Sequence, residues 1–476
     1  MALKNRASAL RSLPSDPINS RADLARYLSE SYKPVGEWCV GPEVELFGFT
    51  RRDLRRISPA QVQAVIDGFS PVIESREVED GFVTEADISL VQVDKGSVSK
   101  HGALATSSGA AQRPAEWGRI TLEPGGQIEF SGAPQKSLLH VEHGISNYLE
   151  LLREIGDRTG IIFVAAGFDP ICGVADQRWI PKRRYQIMRP YLMRRGRRAW
   201  DMMSRTAAIQ ANLDYGDLED LAKKFAVANR LGPIAAAIFA NSPLEEGRLS
   251  GYKSVRYAVW LETDPDRTGL SPLAVDGSFS IERFIDYAST VPMFFIRRGG
   301  AYVDMAGYSF AEFMRGSGGD KAPIMQDFGD HLSTVFTESR LKPHIEQRSA
   351  DCGAPELMLA ALAFWKGLMY HGEALDQALA LAPRLDLSDF GALQLQVARH
   401  GLDARIGSVS VRAIAGASVE LAVIGLRAIA PEEARYLEIL EQYVVREQIC
   451  PADILIRNLK GSWSGDARKA AEYLKI

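Results

Sequence analysis

The chain has 476 residues, 46% of them hydrophobic, with 56 Lys and Arg against 60 Asp and Glu. That is enough for a large core in about two to four domains, and the formal charge of −4 gives no basic footprint for nucleic acid. Cys39, Cys172, Cys352 and Cys450 lie far apart without a CxxC pair, which argues against zinc ribbons and disulfide scaffolds and for a reducing, cytoplasmic setting; the basic N-terminus lacks the apolar core of a secretory signal, and no run of about 18 apolar residues suits a membrane span.

Residues 1–20 read as a flexible lead. Ser20 and Asp23 suit the start of a helix over 21–31 that ends before Pro34. WCVGPEVELFGF (38–49) reads as a strand, and the Gly-, Ser- and Ala-rich stretch 95–118 as a mobile loop or insertion. Leu138, Val141, Ile145, Tyr148, Leu149, Leu152 and Ile155 predict a helix over 135–156, and IIFVAAGF (161–168) a buried strand. Further strands are expected at 205–215, 252–263 and 293–304, with helices at 217–231 and 280–288. Residues 356–372 are apolar on nearly every side and predict an internal helix. From 376 the pattern is helical, with one short strand near 406–414. Sheet elements early and helices late predict an α+β fold.

Side chains alternate across a strand, so i and i+2 share a face about 7 Å apart. In GPEVELF, Glu43 and Glu45 share one face, and Val44 and Leu46 take the other. In RITLEPGGQIEFSG, a Pro-Gly-Gly turn separates two alternating runs. Gln127, Glu129 and Ser131 share a polar face there, and Glu123 sits at the start of the turn. If these strands are neighbours, the carboxylates line one wall, where they repel and their pKa values rise. A hard divalent cation such as Mg²⁺ relieves this; the other reading is an exposed sheet face carrying ordinary acids. Strand 205–215 sets Gln210, Asn212 and Asp214 opposite Ile209, Ala211 and Leu213. In 252–263, Ser254, Arg256 and Trp260 share a face that suits an amino-acid carboxylate, or simply solvent.

Lys182, Arg183, Arg184, Arg189, Arg194, Arg195, Arg197 and Arg198 cluster in 179–198; a small nucleotide's phosphates or a solvated helix account for them in an acidic chain. Arg340, Lys342 and Arg348 lie among acids in 336–351, as phosphate contacts or surface ion pairs. There is no GxxxxGK[ST] loop, HExxH or GxSxG motif, and GSGG (316–319) reads as a linker. Cys172 is either a nucleophile or a buried thiol.

LEPGGQIEFSGAP (122–134) resembles the signature of plant and alphaproteobacterial glutamate–cysteine ligases. The likeness extends through PKRRYQIM (181–188), DMMSRTAAIQANLDY (201–215), WLETDPDRTGL (260–270) and HLSTVFTESRLKPHIEQRSAD (331–351), over roughly residues 20–375. It implies a curved, mainly antiparallel sheet with helices on its convex face, like the glutamine synthetase catalytic domain. Residues 21–375 then form the catalytic domain, and 376–476 a helical region packed on it. It also implies ATP- and Mg²⁺-dependent joining of the glutamate γ-carboxylate to the cysteine amine through an acyl phosphate, by a monomer or homodimer. By motif, Glu43, Glu45, Glu123 and Glu129 fall at metal positions, with Glu45, Glu129 and Arg256 catalytic. Arg205, Gln210, Asn212, Arg256 and Trp260 fall at substrate positions, and Arg340, Lys342 and Arg348 at the nucleotide phosphates.

The chain departs from the family pattern in places. GPEVELF stands for GTEHEKF, so a His becomes Val44 and a Lys becomes Leu46, both on the face opposite the carboxylates. Cys172 replaces an aromatic, Ser349 replaces a Gly, and the cysteines of the plant redox switch have no counterparts. These changes keep open an alternative, a related carboxylate–amine ligase with a different acceptor in specialised metabolite biosynthesis.

Overall fold

The computed structural model describes residues 15–90 and 117–476. Residues 95–116 of the predicted loop and 1–14 of the lead lie outside that description; Trp117 and Gly118, placed in the loop by sequence, begin a strand instead.

The principal sheet comprises β1 (Val40–Thr50), β2 (Ile73–Glu79), β3 (Phe82–Ser89), β4 (Trp117–Leu122), β5 (Ile128–Gly132), β6 (Ile161–Val164), β7 (Ile209–Leu213), β8 (Ser339–Leu341) and β9 (Ile345–Gln347). The strand order is β8-β9-β7-β1-β5-β4-β3-β2, with β6 on the far half of β1, and every pairing is antiparallel. Period-2 alternation makes one face apolar. Val44 sits between Phe130 and Ile209, Leu46 opposite Ile128, Ile120 beside Phe130, and Ile345 beside Leu213; all are buried. That face receives helices α1 (Leu138–Thr159) and α5 (Pro355–Met369), with Tyr148 of α1 stacked 4.4 Å from the Phe130 ring. Val44 and Leu46 are fully buried here. Helix α6 (Val411–Ile429) packs on α5, and the backbone of Leu474 bonds to Ala165 at the end of β6. Among the described residues no helix is long and apolar enough to cross a membrane.

Three expected strands need correction. Residues 252–263 form helix α4 (Val255–Leu261), capped by the Ser254 hydroxyl, which accepts from Tyr257 N at 3.0 Å. Ser254 is fixed in that role because it donates to the buried Asp351 at 2.9 Å; this tertiary bond overrides the strand preference of a Val-, Tyr- and Trp-rich segment. Residues 293–304 fold into a hairpin, Phe295–Arg298 with Ala301–Asp304, because Gly299 and Gly300 both take positive φ, as a tight hairpin turn requires. After helix α2 (Arg183–Leu192), the span 205–215 begins in helix α3 (Ala199–Arg205) and only then becomes β7. The strand near 406–414 is a two-residue hairpin arm, Arg405–Ile406 with Val409–Ser410. GSGG closes a π-helical turn, Phe313–Ser317, through Gly316 at φ +103.

A buried imidazole gives the fold a specific weakness in acid. His331 is 2% exposed, donates from Nε2 to Ala288 O at 2.7 Å, and stacks on Phe310. Burial pushes its pKa down to about 4. Between about 4 and 6.5 the unfolded chain therefore binds a proton that the folded chain refuses, so stability falls as pH drops through that window. The expected loss is about 3 kcal/mol. Thermal melts of wild type and His331→Gln from pH 7 to 4 should show a steeper acid-side decline in the wild type; parallel curves refute the assignment.

Candidate active site

Register builds the polar wall. Glu45 stands opposite Glu129, Glu129 opposite Thr121, and Thr121 opposite Glu85, so one row crosses β1, β5, β4 and β3. A second row runs Gln210, Glu43, Ser131, Arg119, Asp87, and a third joins Arg340, Glu346 and Asn212. Directly opposed residues share a face. Of this face, Glu43, Glu45, Glu85, Thr121, Glu129, Gln210 and Arg340, together with Glu123, line a cleft of about 240 Å³, closed by Lys182, Arg184, Tyr185, Arg256, Trp260, Phe336, Lys342 and Arg348.

Glu45 accepts from Ala208 N at 2.8 Å and from Gln210 Nε2 at 3.0 Å, Glu43 accepts from Asn212 Nδ2 at 2.9 Å, and Glu129 accepts from the Thr121 hydroxyl. Burial raises the Glu43 carboxyl to about 7, helped by Glu346 and Glu129. Burial, then Glu123 and Glu129, push Glu45 well above the ordinary range. Burial and Glu123 raise Glu129. The wall thus holds more negative charge than its own surroundings balance.

On the β8–β9 side the balance reverses. Glu346, fully buried, pairs at 2.5 Å with both Arg340 and Arg348, and also with Lys342. Burial alone raises its carboxyl, but these three cations hold it well below the usual range. Arg348 also donates to Gln210 Oε1 at 2.8 Å and lies over Trp260. Arg256 donates to the carbonyls of Arg348 and Ser349, and its Nε is buried without a partner. At the other end Lys182 pairs with Glu85 at 3.0 Å.

Glu43, Glu45, Glu123, Glu129, Gln210, Arg256, Trp260, Arg340, Lys342 and Arg348 thus come together in the cleft. Asn212 stands behind Glu43. Arg205 lies apart: it ends α3, is 1% exposed, and turns to Asp201 at 2.7 Å and over the Phe168 ring. Asp214 is held by Lys33 at 2.5 Å and Cys39 N at 2.8 Å, outside the cleft. The basic run divides. Lys182 and Arg184 line the cleft, whereas Arg183, Arg195, Arg197 and Arg198 pair with nearby acids. Burial pushes the Cys172 thiol up to about 12, which disfavours the thiolate. Ser349 donates to Glu338 at 2.6 Å. Glu85 and Glu346 escaped sequence reading. For Glu85 the signal was present, since FVTEADIS alternates as GPEVELF does.

The Pro-Gly-Gly turn explains itself sterically. A Cβ on Gly125 would meet Ser204 O at 2.4 Å and Ser204 Cα at 2.5 Å, both backbone, and Gly126 has φ +78. Gly125→Ala should cost about 1–3 kcal/mol and lower both Tm and turnover; an unchanged melt would show that the approach is not tight.

The glutamate-cysteine ligase family 2 profile matches residues 39–473. The chloroplastic glutamate–cysteine ligase of Nicotiana tabacum is 34% identical over 464 residues, covering 97% of this chain and 83% of that protein. Glutamate–cysteine ligase A of Oryza sativa subsp. indica, also chloroplastic, is 34% identical over 94% of this chain and 86% of its own. In fold, the chain is similar to the crystal structure of a glutamate–cysteine ligase from Francisella tularensis in complex with AMP, with a TM-score of 0.51 at 11% identity over 93% of this chain and 90% of that one.

Proposed function

This chain belongs to glutamate-cysteine ligase family 2, and from that membership and the chemistry of the cleft we propose that it joins the γ-carboxylate of glutamate to the amino group of cysteine, with cleavage of ATP to ADP and phosphate. The observation that carries the reading is the row of mutually repelling carboxylates set between Arg340, Lys342 and Arg348 on one side and Lys182 and Arg184 on the other. An all-oxygen donor set suits Mg²⁺. Among the described residues no three acids stand as a ready-made cage, and Mg²⁺ does not need one, because it takes one or two carboxylates plus waters and substrate phosphates. Glu43, Glu45, Glu123 and Glu129 would hold it. When bound, the cation neutralises phosphate charge beside the wall.

Arg340, Lys342 and Arg348 bind the triphosphate, their single shared counter-ion Glu346 leaving net positive charge for it. A γ-carboxylate oxygen of glutamate attacks the γ-phosphorus, the bond to the ADP oxygen breaks, and an acyl phosphate forms. Positioning and electrostatics supply most of the catalysis of such a transfer. Arg256, with its buried unpaired Nε, holds a substrate carboxylate beside Trp260, and Gln210 links Glu45 to Arg348 across the wall. The cysteine nitrogen then attacks the acyl carbon, phosphate leaves, and the amine gives up a proton. Asn212 acts from behind the wall through Glu43, and Arg205 supports α3.

ADP release with glutamate, Mg²⁺ and ATP tests the reading, adding cysteine and then other amines one at a time. Cysteine-dependent ADP with γ-glutamylcysteine as product supports it. ADP formed only with another amine moves the chain to a different acceptor, and no ADP with any amine overturns ligation.

A further inference from the structure

Three of the wall acids take their places from strand register. Glu123 does not: it lies one residue past β4, at the start of the Pro-Gly-Gly turn. Something outside the ladder must hold that turn. Gly126 N bonds to Glu123 O and Glu123 N to Gln127 O, which closes the turn on itself but does not anchor it to the fold. Three long-range bonds do so: Ile180 N donates to Pro124 O at 2.9 Å, Gln127 Nε2 donates to Thr206 O at 2.9 Å, and Arg56, the one charged group among them and fully buried in its side chain, reaches the carbonyl of Gly125. Its Nη2 donates to Gly125 O at 2.8 Å, its Nη1 to Gly48 O at 3.4 Å, and its Nε to Gln177 Oε1 at 3.3 Å, with Asp169 at 3.6 Å as counter-ion. The guanidinium lies over Phe47 and Phe49. Asp169 is itself fixed by the amides of Ile171 and Cys172 and by Gln177 Nε2.

A buried ion pair is a poor device for stability alone, since apolar residues of similar volume often serve as well. A rigid guanidinium fork does something apolar packing cannot, for it fixes the angle between the acceptors it joins. Here those acceptors lie on β1, on the metal-side turn and on the 169–177 loop. The geometry points to Arg56 as a positioning residue that sets Glu123 toward the cation, an inference resting on Glu123 serving as a cation ligand as proposed above.

The test uses Mn²⁺ alone as probe, with free Mn²⁺ followed by electron paramagnetic resonance on the full-length protein. Removing an outer-shell partner costs roughly 10- to 100-fold in metal affinity. Arg56→Lys, which keeps the charge but not the fork, should weaken Mn²⁺ binding by that factor, and Glu123→Gln, which removes a ligand, by at least as much. The double variant should bind no more weakly than Glu123→Gln, because both act through one carboxylate. If Arg56→Lys does not fold, Asp169→Asn, which loosens the same guanidinium, is measured in its place with the same expected direction. Additive losses, or a lowered Tm with wild-type Mn²⁺ affinity, overturn the inference and leave the cation role of Glu123 standing. Wild-type affinity in Glu123→Gln removes that role and the inference with it.

Discussion

Glu129→Gln should lower kcat on the order of 10²–10³-fold, the range seen when one electrostatic contact to the transition state is lost, while Tm in cation-free buffer stays level or rises. The two halves of that result have one cause. Glu129 faces Glu45 across the ladder and accepts from the Thr121 hydroxyl. Burial and then Glu123 push its carboxyl upward, so the folded protein holds this charge against resistance. Glutamine keeps the volume and the acceptor for Thr121 and removes the repulsion. A cation and a triphosphate gain from that same charge, which therefore serves turnover rather than folding. Steady-state ADP kinetics at saturating Mg²⁺, paired with calorimetry of the cation-free protein, separate the two effects. A variant with full kcat removes Glu129 from the chemistry, and one that melts several degrees lower makes it a structural residue.

The parts of this site legible in sequence are those where period 2 does the sorting. GPEVELF and GQIEFSG alternate cleanly, and their polar members meet across β1 and β5 as alternation requires. Alternation failed where a segment was short or changed type. Arg205 precedes β7 by four residues, but the chain there is still the end of a helix, so its side chain points elsewhere. Arg256 and Trp260 share a face under either period: they are i and i+4 of α4, and helical spacing brings both to the cleft just as strand alternation would. Arg56 had no local signal, being defined by partners far along the chain, Gly125 and Asp169. Glu346 has its counter-charges within six residues, but only the β8–β9 hairpin turns Arg340 and Lys342 back onto it and buries all of them together. A buried charge is recognisable only once its counter-charges are placed.

Glu346→Gln is the same chemical change as Glu129→Gln with the opposite thermal outcome. Glu346 is fully buried and is the shared counter-ion of Arg340, Lys342 and Arg348. Removing one partner of a buried pair costs about 3–5 kcal/mol, because the charge left behind stays desolvated; here three cations are left. Tm should therefore fall sharply at neutral pH. The sign follows from the carboxyl's depressed pKa. A group held below its ordinary value stabilises the fold above that value and loses the contribution as pH falls through its folded one, so the wild-type advantage over Glu346→Gln should shrink in acid. Inorganic triphosphate should recover more Tm in the variant than in wild type, since an anion that binds only the folded state stabilises it by mass action and the vacated cations bind it more strongly. Equal melts for variant and wild type would mean that the three side chains escape to solvent, leaving Arg340, Lys342 and Arg348 without the fixed arrangement that phosphate recognition requires.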